Sequence, residues 1–128
     1  MLSRRSILLT GAAALAAIAP ARAFTFQPYD ASAAGEAIRS GKPVVLHVDA
    51  SWCVTCRAQR TVLSRLESDK RYDSISFFRV DYDGQKDVVA ALASPRSTLI
   101  VYKGGKEVAR MSWGVTQEEV VKVLQAAL

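Results

Sequence analysis

Two cysteines and a single histidine, His47, are the only thiol and imidazole side chains among the 128 residues of this chain. A structural zinc centre takes four ligands, so a closed tetrahedral site is not expected and no residue is assigned to a metal. Long apolar runs are also missing. The longest, Ile7 to Ala19, spans 13 residues, short of the ~20 a helix needs to cross a bilayer, so no integral span is expected after processing. Beyond Phe24 there is no internal repeat and no linker-like composition, which leaves a single domain over 24–128. Attachment motifs for nucleotide, flavin or haem are absent as well, and no cofactor is expected. The formal charge of +5 falls to +2 once Arg4, Arg5 and Arg22 are set aside with the leader described next, leaving 14 basic against 12 acidic residues. Arg57, Arg60, Arg65, Lys70 and Arg71 are interleaved with Glu67 and Asp69, a solvated face rather than a phosphate-binding stripe. Nucleic acid is therefore not an expected partner.

The first 23 residues read as an export signal. Arg4 and Arg5 form a basic start, an apolar run follows, Pro20 breaks it, and Ala21-Arg22-Ala23 is a small-x-small cleavage site. The mature chain is expected to begin at Phe24. Ser3-Arg4-Arg5 resembles a bacterial twin-arginine signal, but an ordinary secretory leader is also basic; both routes end in the periplasm.

The rest reads as alternating elements. Asp30 caps a helix from about Ala31 to Ser40, with Gly41 as its stop. Val44 to Asp49 is a short apolar run rich in β-branched residues, as in a central strand covered on both faces. An amphipathic helix from about Cys53 to Glu67 leads to a second such strand, Ile75 to Asp81, and a further helix covers about Gln85 to Ala93. Thr98 to Tyr102 and Glu107 to Met111 flank a Gly-Gly turn and read as an antiparallel hairpin. Thr116 and Glu119 form a capping box for a closing helix. The order is satisfied by an α/β fold, one mixed central sheet with helices on both faces.

The cysteines, Cys53 and Cys56, stand where a buried strand turns into a helix. Unpaired amides and the positive end of the helix dipole stabilise an anion there, and a thiol pKa of about 8.5 falls to ~7 or below. Cys53 is thus the expected nucleophile and Cys56, one turn inward, the resolving thiol of a redox disulfide. Three plainer readings compete: a structural disulfide, half of a metal site, and two unrelated core cysteines. The first gains little, because so short a loop removes little unfolded-state entropy.

Trp52-Cys53-Val54-Thr55-Cys56, after a Pro-Val-Val-Leu strand and before a basic helix, resembles the active site of the thioredoxin family. The likeness runs over nearly all of residues 24–128, including Asp81-Tyr82-Asp83, the strand and turn from Thr98 to Gly105, and Gly114. Lys42-Pro43-Val44 and Trp52-Cys53-Val54-Thr55-Cys56-Arg57 look more like periplasmic reductase domains, such as the C-terminal domain of the membrane disulfide-reductase system. The resemblance implies a thioredoxin-like fold and a thiol–disulfide oxidoreductase. Its expected partners are client proteins with disulfides or thiols and a separate electron donor, and a monomer is expected. Trp52, Ser97, Thr98 and Gly114 are the implied client-contact residues. The lack of histidine between the cysteines points to reduction of clients; a copper- or zinc-binding thiol module or a chaperone is the alternative.

Two departures from that family matter. Its buried aspartate six residues before the first cysteine is His47 here, which could accept the Cys56 proton or simply pack in the core. Asp49 shares the side-chain direction of His47 and could assist or orient it, and Arg79 lies on the neighbouring strand. The family's cis-proline position falls on Ser97, while the actual proline is Pro95. A cis bond before a non-proline residue costs ~2.5–4 kcal/mol, so a trans peptide or a register shifted onto Pro95 is expected. Loss of that proline would also open the thiols to metals.

Overall fold

The computed structural model describes residues 11–13 and 21–128. Arg4, Arg5 and most of the apolar run from Ile7 to Ala19 lie outside the described residues. Among the described residues no helix is long and apolar enough to cross a membrane.

The elements are β1 (Phe26–Pro28), α1 (Ala31–Arg39), β2 (Val44–Asp49), α2 (Val54–Leu66), β3 (Ser76–Asp81), α3 (Lys86–Leu92), β4 (Thr98–Lys103), β5 (Lys106–Ser112) and α4 (Gln117–Leu124), with single 3-10 turns at Lys70–Tyr72 and Gln125–Ala127. They form the expected mixed sheet, in the order β1-β3-β2-β4-β5. β2 and β3 run parallel and in register, Val44 to Asp49 opposite Ser76 to Asp81. β4 is antiparallel to β2, and β5 to β4. The central position of β2 explains its six buried residues. β1, which no sequence signal announced, pairs parallel with β3; three residues ending in proline are too few to show a strand period.

Alternation along β2 divides the core. Val44, Leu46 and Val48 pack with Phe78, Val80 and Ile100 under α1 and α3, while Val45 joins Phe77, Leu99 and Val101 under Val62, Leu63 and Leu66 of α2 and Val120, Val123 and Leu124 of α4. His47 and Asp49, in step with Val45, therefore face α2. Helix starts follow their caps: Asp30 accepts from the Ala33 amide at 2.9 Å, and Thr116 accepts from the Glu119 amide at 3.2 Å while donating its hydroxyl to Glu119. The buried core begins at Phe24, whose ring stacks on Phe77 at 3.8 Å between centroids.

Candidate active site

β2 ends at Asp49, and the chain crosses Ala50 to Trp52 before entering α2 with Cys53 as the N-cap residue. Cys53 Sγ takes the place a serine oxygen holds in most caps and accepts from the Cys56 amide at 3.2 Å. Two hydroxyls complete its surroundings, Thr55 Oγ1 at 3.2 Å and Ser97 Oγ at 3.3 Å. Cys56, fully buried one turn below, accepts from the Ala50 amide at 3.5 Å and lies 3.1 Å from Ser97 Oγ. Ser97 and Thr55 oxygens are 2.5 Å apart, so one small hydroxyl cluster touches both sulfurs. Among the described residues no set of three His, Cys, Asp or Glu side chains stands together to hold a metal ion.

This environment splits the thiols. Burial would raise the Cys53 pKa, but hydrogen bonds from Cys56, Ser97 and Thr55 and the Cys56 amide outweigh it and bring the thiol down to about 6. Burial pushes Cys56 up, and the neighbouring Cys53 sulfur adds to that. One sulfur is an anion at neutral pH while the other keeps its proton, the division of labour that exchange at a two-thiol site requires.

The sequence model of one protein family, described as thioredoxin, matches residues 28–126. The chain belongs to the thioredoxin family. It is 34% identical to the H-type thioredoxin of Fagopyrum esculentum over 83 residues, covering 64% of this chain and 69% of that protein. It is 31% identical over 84 residues to the thiol:disulfide interchange protein CycY of Rhizobium leguminosarum bv. viciae, covering 62% of this chain and 42% of CycY. Among solved structures, Trxlp from Edwardsiella tarda EIB202 superposes with a TM-score of 0.72 at 31% identity, covering 77% of this chain and 96% of that one. The thioredoxin-family chain is accordingly a thiol–disulfide oxidoreductase that works through Cys53 and Cys56 on thiol and disulfide clients. Alkylation of the reduced protein by iodoacetamide is expected to modify Cys53 with a half-maximal rate near pH 6 and to leave Cys56 untouched below pH 8. Mass spectrometry of the labelled peptides measures both, and a Cys53 midpoint at about 8.5, the ordinary thiol value, contradicts the division of labour.

Against the thioredoxin-family pattern, the Ser97 peptide is trans, and the register is not shifted onto Pro95: β4 begins at Thr98, directly after Ser97. Ser97 adopts φ 57, a left-handed conformation uncommon outside glycine. It is held there by two hydrogen bonds to its carbonyl, from the Trp113 amide at 2.8 Å and from Gln59 Nε2 at 2.9 Å. The residue is completely buried and its hydroxyl faces the thiols, so its side chain is turned away from a client. Thr98 is fully buried as well, with its hydroxyl donating to Pro95 O at 3.0 Å and so bracing the loop. Gly114 is buried too; its carbonyl accepts from Gln59 and its amide donates to Met111 Sδ. A Cβ there would collide with Met111 and Glu119. Only Trp52 of the four stands exposed, its Nε1 donating to Asp83 at 2.6 Å.

His47 and Asp49 do share a face, yet among the described residues neither hydrogen-bonds a sulfur. The His47 ring is fully buried and pairs through Nε2 with Gln59 Oε1 at 2.9 Å. Burial lowers its pKa to about 4 with help from Arg79 and Arg60, against the opposing pull of Asp49 and Gln59. It stays neutral where the protein works, and Gln59 stands between it and Ser97. Asp49 forms ion pairs with Arg60 and, at 3.6 Å, with Arg79, which also lies over the Phe26 ring. Both residues thus stand apart from direct hydrogen bonding to Cys56. Gln59 is the residue that sequence reasoning missed: its single amide joins His47, Ser97 and Gly114. An amide three residues after Cys56, in line with the buried stripe of Val62, Leu63 and Leu66, was the available signal. Equally unannounced is the stack in which the Arg96 guanidinium lies over Trp52 at 4.8 Å and Trp113 at 4.9 Å.

Proposed function

We propose that this thioredoxin-family protein is exported to the periplasm and there reduces disulfides of client proteins. The reducing direction rests on the environment of Cys53. A thiolate stabilised more strongly makes the dithiol form more favourable and the pair more oxidising; cysteines at such helix ends range from about 3.5 in a strong oxidant to about 7 in thioredoxin. A Cys53 pKa of about 6 stands near the thioredoxin end. One pKa unit corresponds to about 1.4 kcal/mol, or about 30 mV for a two-electron couple. Equilibration with glutathione buffers is therefore expected to give a potential within roughly 30 mV of about −270 mV, and a value near −120 mV would overturn the reading. Export is supported by the basic start, the short apolar run and the Ala21-Arg22-Ala23 motif. The full gene, expressed in a bacterium with two membranes, is expected to give a periplasmic protein beginning at Phe24. Intact chains from Met1 confined to the cytosol would refute export.

A further inference from the structure

The proton on Cys56 has to leave when its sulfur attacks Cys53, and the structure offers few places for it to go. Among the described residues two groups hydrogen-bond Cys56 Sγ from outside the cysteine pair, the Ala50 amide and the Ser97 hydroxyl. The amide is a donor only and cannot take a proton. Cys53 is a base while it is a free thiolate, but once its sulfur is bonded to a client it no longer carries a charge. Among the described residues neither His47, held by Gln59 through Nε2 with its Nδ1 unpaired, nor Asp49, paired with Arg60 and Arg79, hydrogen-bonds a sulfur. What remains is Ser97 Oγ, fully buried, 3.1 Å from Cys56 Sγ, 3.3 Å from Cys53 Sγ and 2.5 Å from Thr55 Oγ1. A hydroxyl holds one proton to give and two lone pairs to receive, so it can accept from Cys56 on one side while donating on the other.

We propose that Ser97 is a catalytic residue that relays the Cys56 proton toward the sulfur leaving Cys53. In the resolving step the Cys56 S–H bond breaks and its proton passes to Ser97 Oγ, as the original Ser97 hydroxyl proton passes to the client sulfur, directly or through Thr55. The Cys56 electron pair forms the bond to Cys53 Sγ. The disulfide between Cys53 and the client breaks, and its electron pair stays on the client sulfur, which leaves as a thiol. The client sulfur is reduced, the cysteine pair is oxidised, and no outside acid or base is consumed. The relay requires exchange through Cys53 and Cys56 and holds whichever way electrons flow. The titratable groups against Ser97 are the two thiols; His47 lies one hydrogen bond further, behind Gln59.

The test mixes the reduced protein with glutathione disulfide in a stopped-flow instrument and follows tryptophan fluorescence. Attack by Cys53 depends on glutathione disulfide concentration; resolution by Cys56 does not, so the two phases separate. Ser97→Gly removes the hydroxyl and suits the left-handed backbone at φ 57; Ser97→Ala is the second variant should glycine loosen the loop. Resolution in the wild type is expected to be nearly flat from pH 6 to pH 8. In both variants it is expected to slow about 10²-fold and to rise about tenfold per pH unit, since Cys56 must then ionise into solvent. Attack above pH 7 should change less than about threefold. Resolution in the variants within about threefold of wild type, with the same flat pH profile, overturns the relay. A wild type with no concentration-independent phase would instead remove exchange through Cys56, and the relay with it.

Discussion

Replacing Cys56 by serine is expected to halt turnover at a mixed disulfide on Cys53, with client reduction slowed about 10³-fold or more. The size follows from confinement. Cys56 is buried one helical turn below Cys53, and both sulfurs lie against the same Ser97 oxygen at 3.1 and 3.3 Å. Well-oriented intramolecular reactions reach effective molarities of about 10⁵ M or above. An external thiol supplied at millimolar concentration replaces Cys56 poorly even if protein constraints forfeit several of those decades. Serine fits the cavity and keeps the Ala50 hydrogen bond possible, so the loss is chemical rather than a loss of fold. Adducts that run as heavier species without reductant and vanish with dithiothreitol would identify the stalled state. The companion variant Cys53→Ser should capture nothing, because burial keeps the remaining thiol protonated and out of reach. Client adducts on Cys56 in that variant would reverse the assigned roles.

Where sequence and structure agree, the cause is local. Asp30, Thr116 and Glu119 announce helix starts because a cap is made by residues three apart, and β2 is legible because a strand buried on both faces is apolar throughout. The position of Cys53 at the entrance to α2 follows from those same neighbours. What stayed hidden depends on partners distant in sequence. The spacing of His47 and Asp49 placed both on one face of β2, but their roles are decided by Gln59 and Arg60 on α2. Gln59 in turn is explained only by carbonyls 38 and 55 residues away, at Ser97 and Gly114. The hydroxyl bridge at Ser97 was invisible for the same reason, although its position as the family's missing proline was readable.

His47→Gln is expected to make the protein less sensitive to acid by roughly 3 kcal/mol without much effect at neutral pH. Gln59 donates both amide hydrogens, to Ser97 O and Gly114 O at 2.9 Å each, so its oxygen faces His47 and the imidazole must present Nε2–H. Nδ1 has no partner. A second proton would have to settle on that buried, unpaired nitrogen, and burial accordingly lowers the pKa from 6.5 to about 4. In the unfolded chain the ring takes its proton near 6.5. Between those values the unfolded state binds more protons than the folded one, so stability falls as the pH falls through this window and is unaffected by His47 above it. At 1.36 kcal/mol per unit, the penalty approaches roughly 3 kcal/mol at pH 4, about a 10²-fold shift in the folding equilibrium. Asp69, whose carboxyl Arg71 holds below its ordinary value, is present in both proteins and cancels in the comparison. A glutamine amide can donate to Gln59 as the imidazole does and cannot titrate. Urea unfolding of the two proteins should differ by less than about 1 kcal/mol at pH 7.5, the scale of one neutral hydrogen bond, and diverge steadily toward pH 4. Parallel loss of stability in both would mean that the buried ring carries its second proton at little cost, and that burial does not keep it neutral.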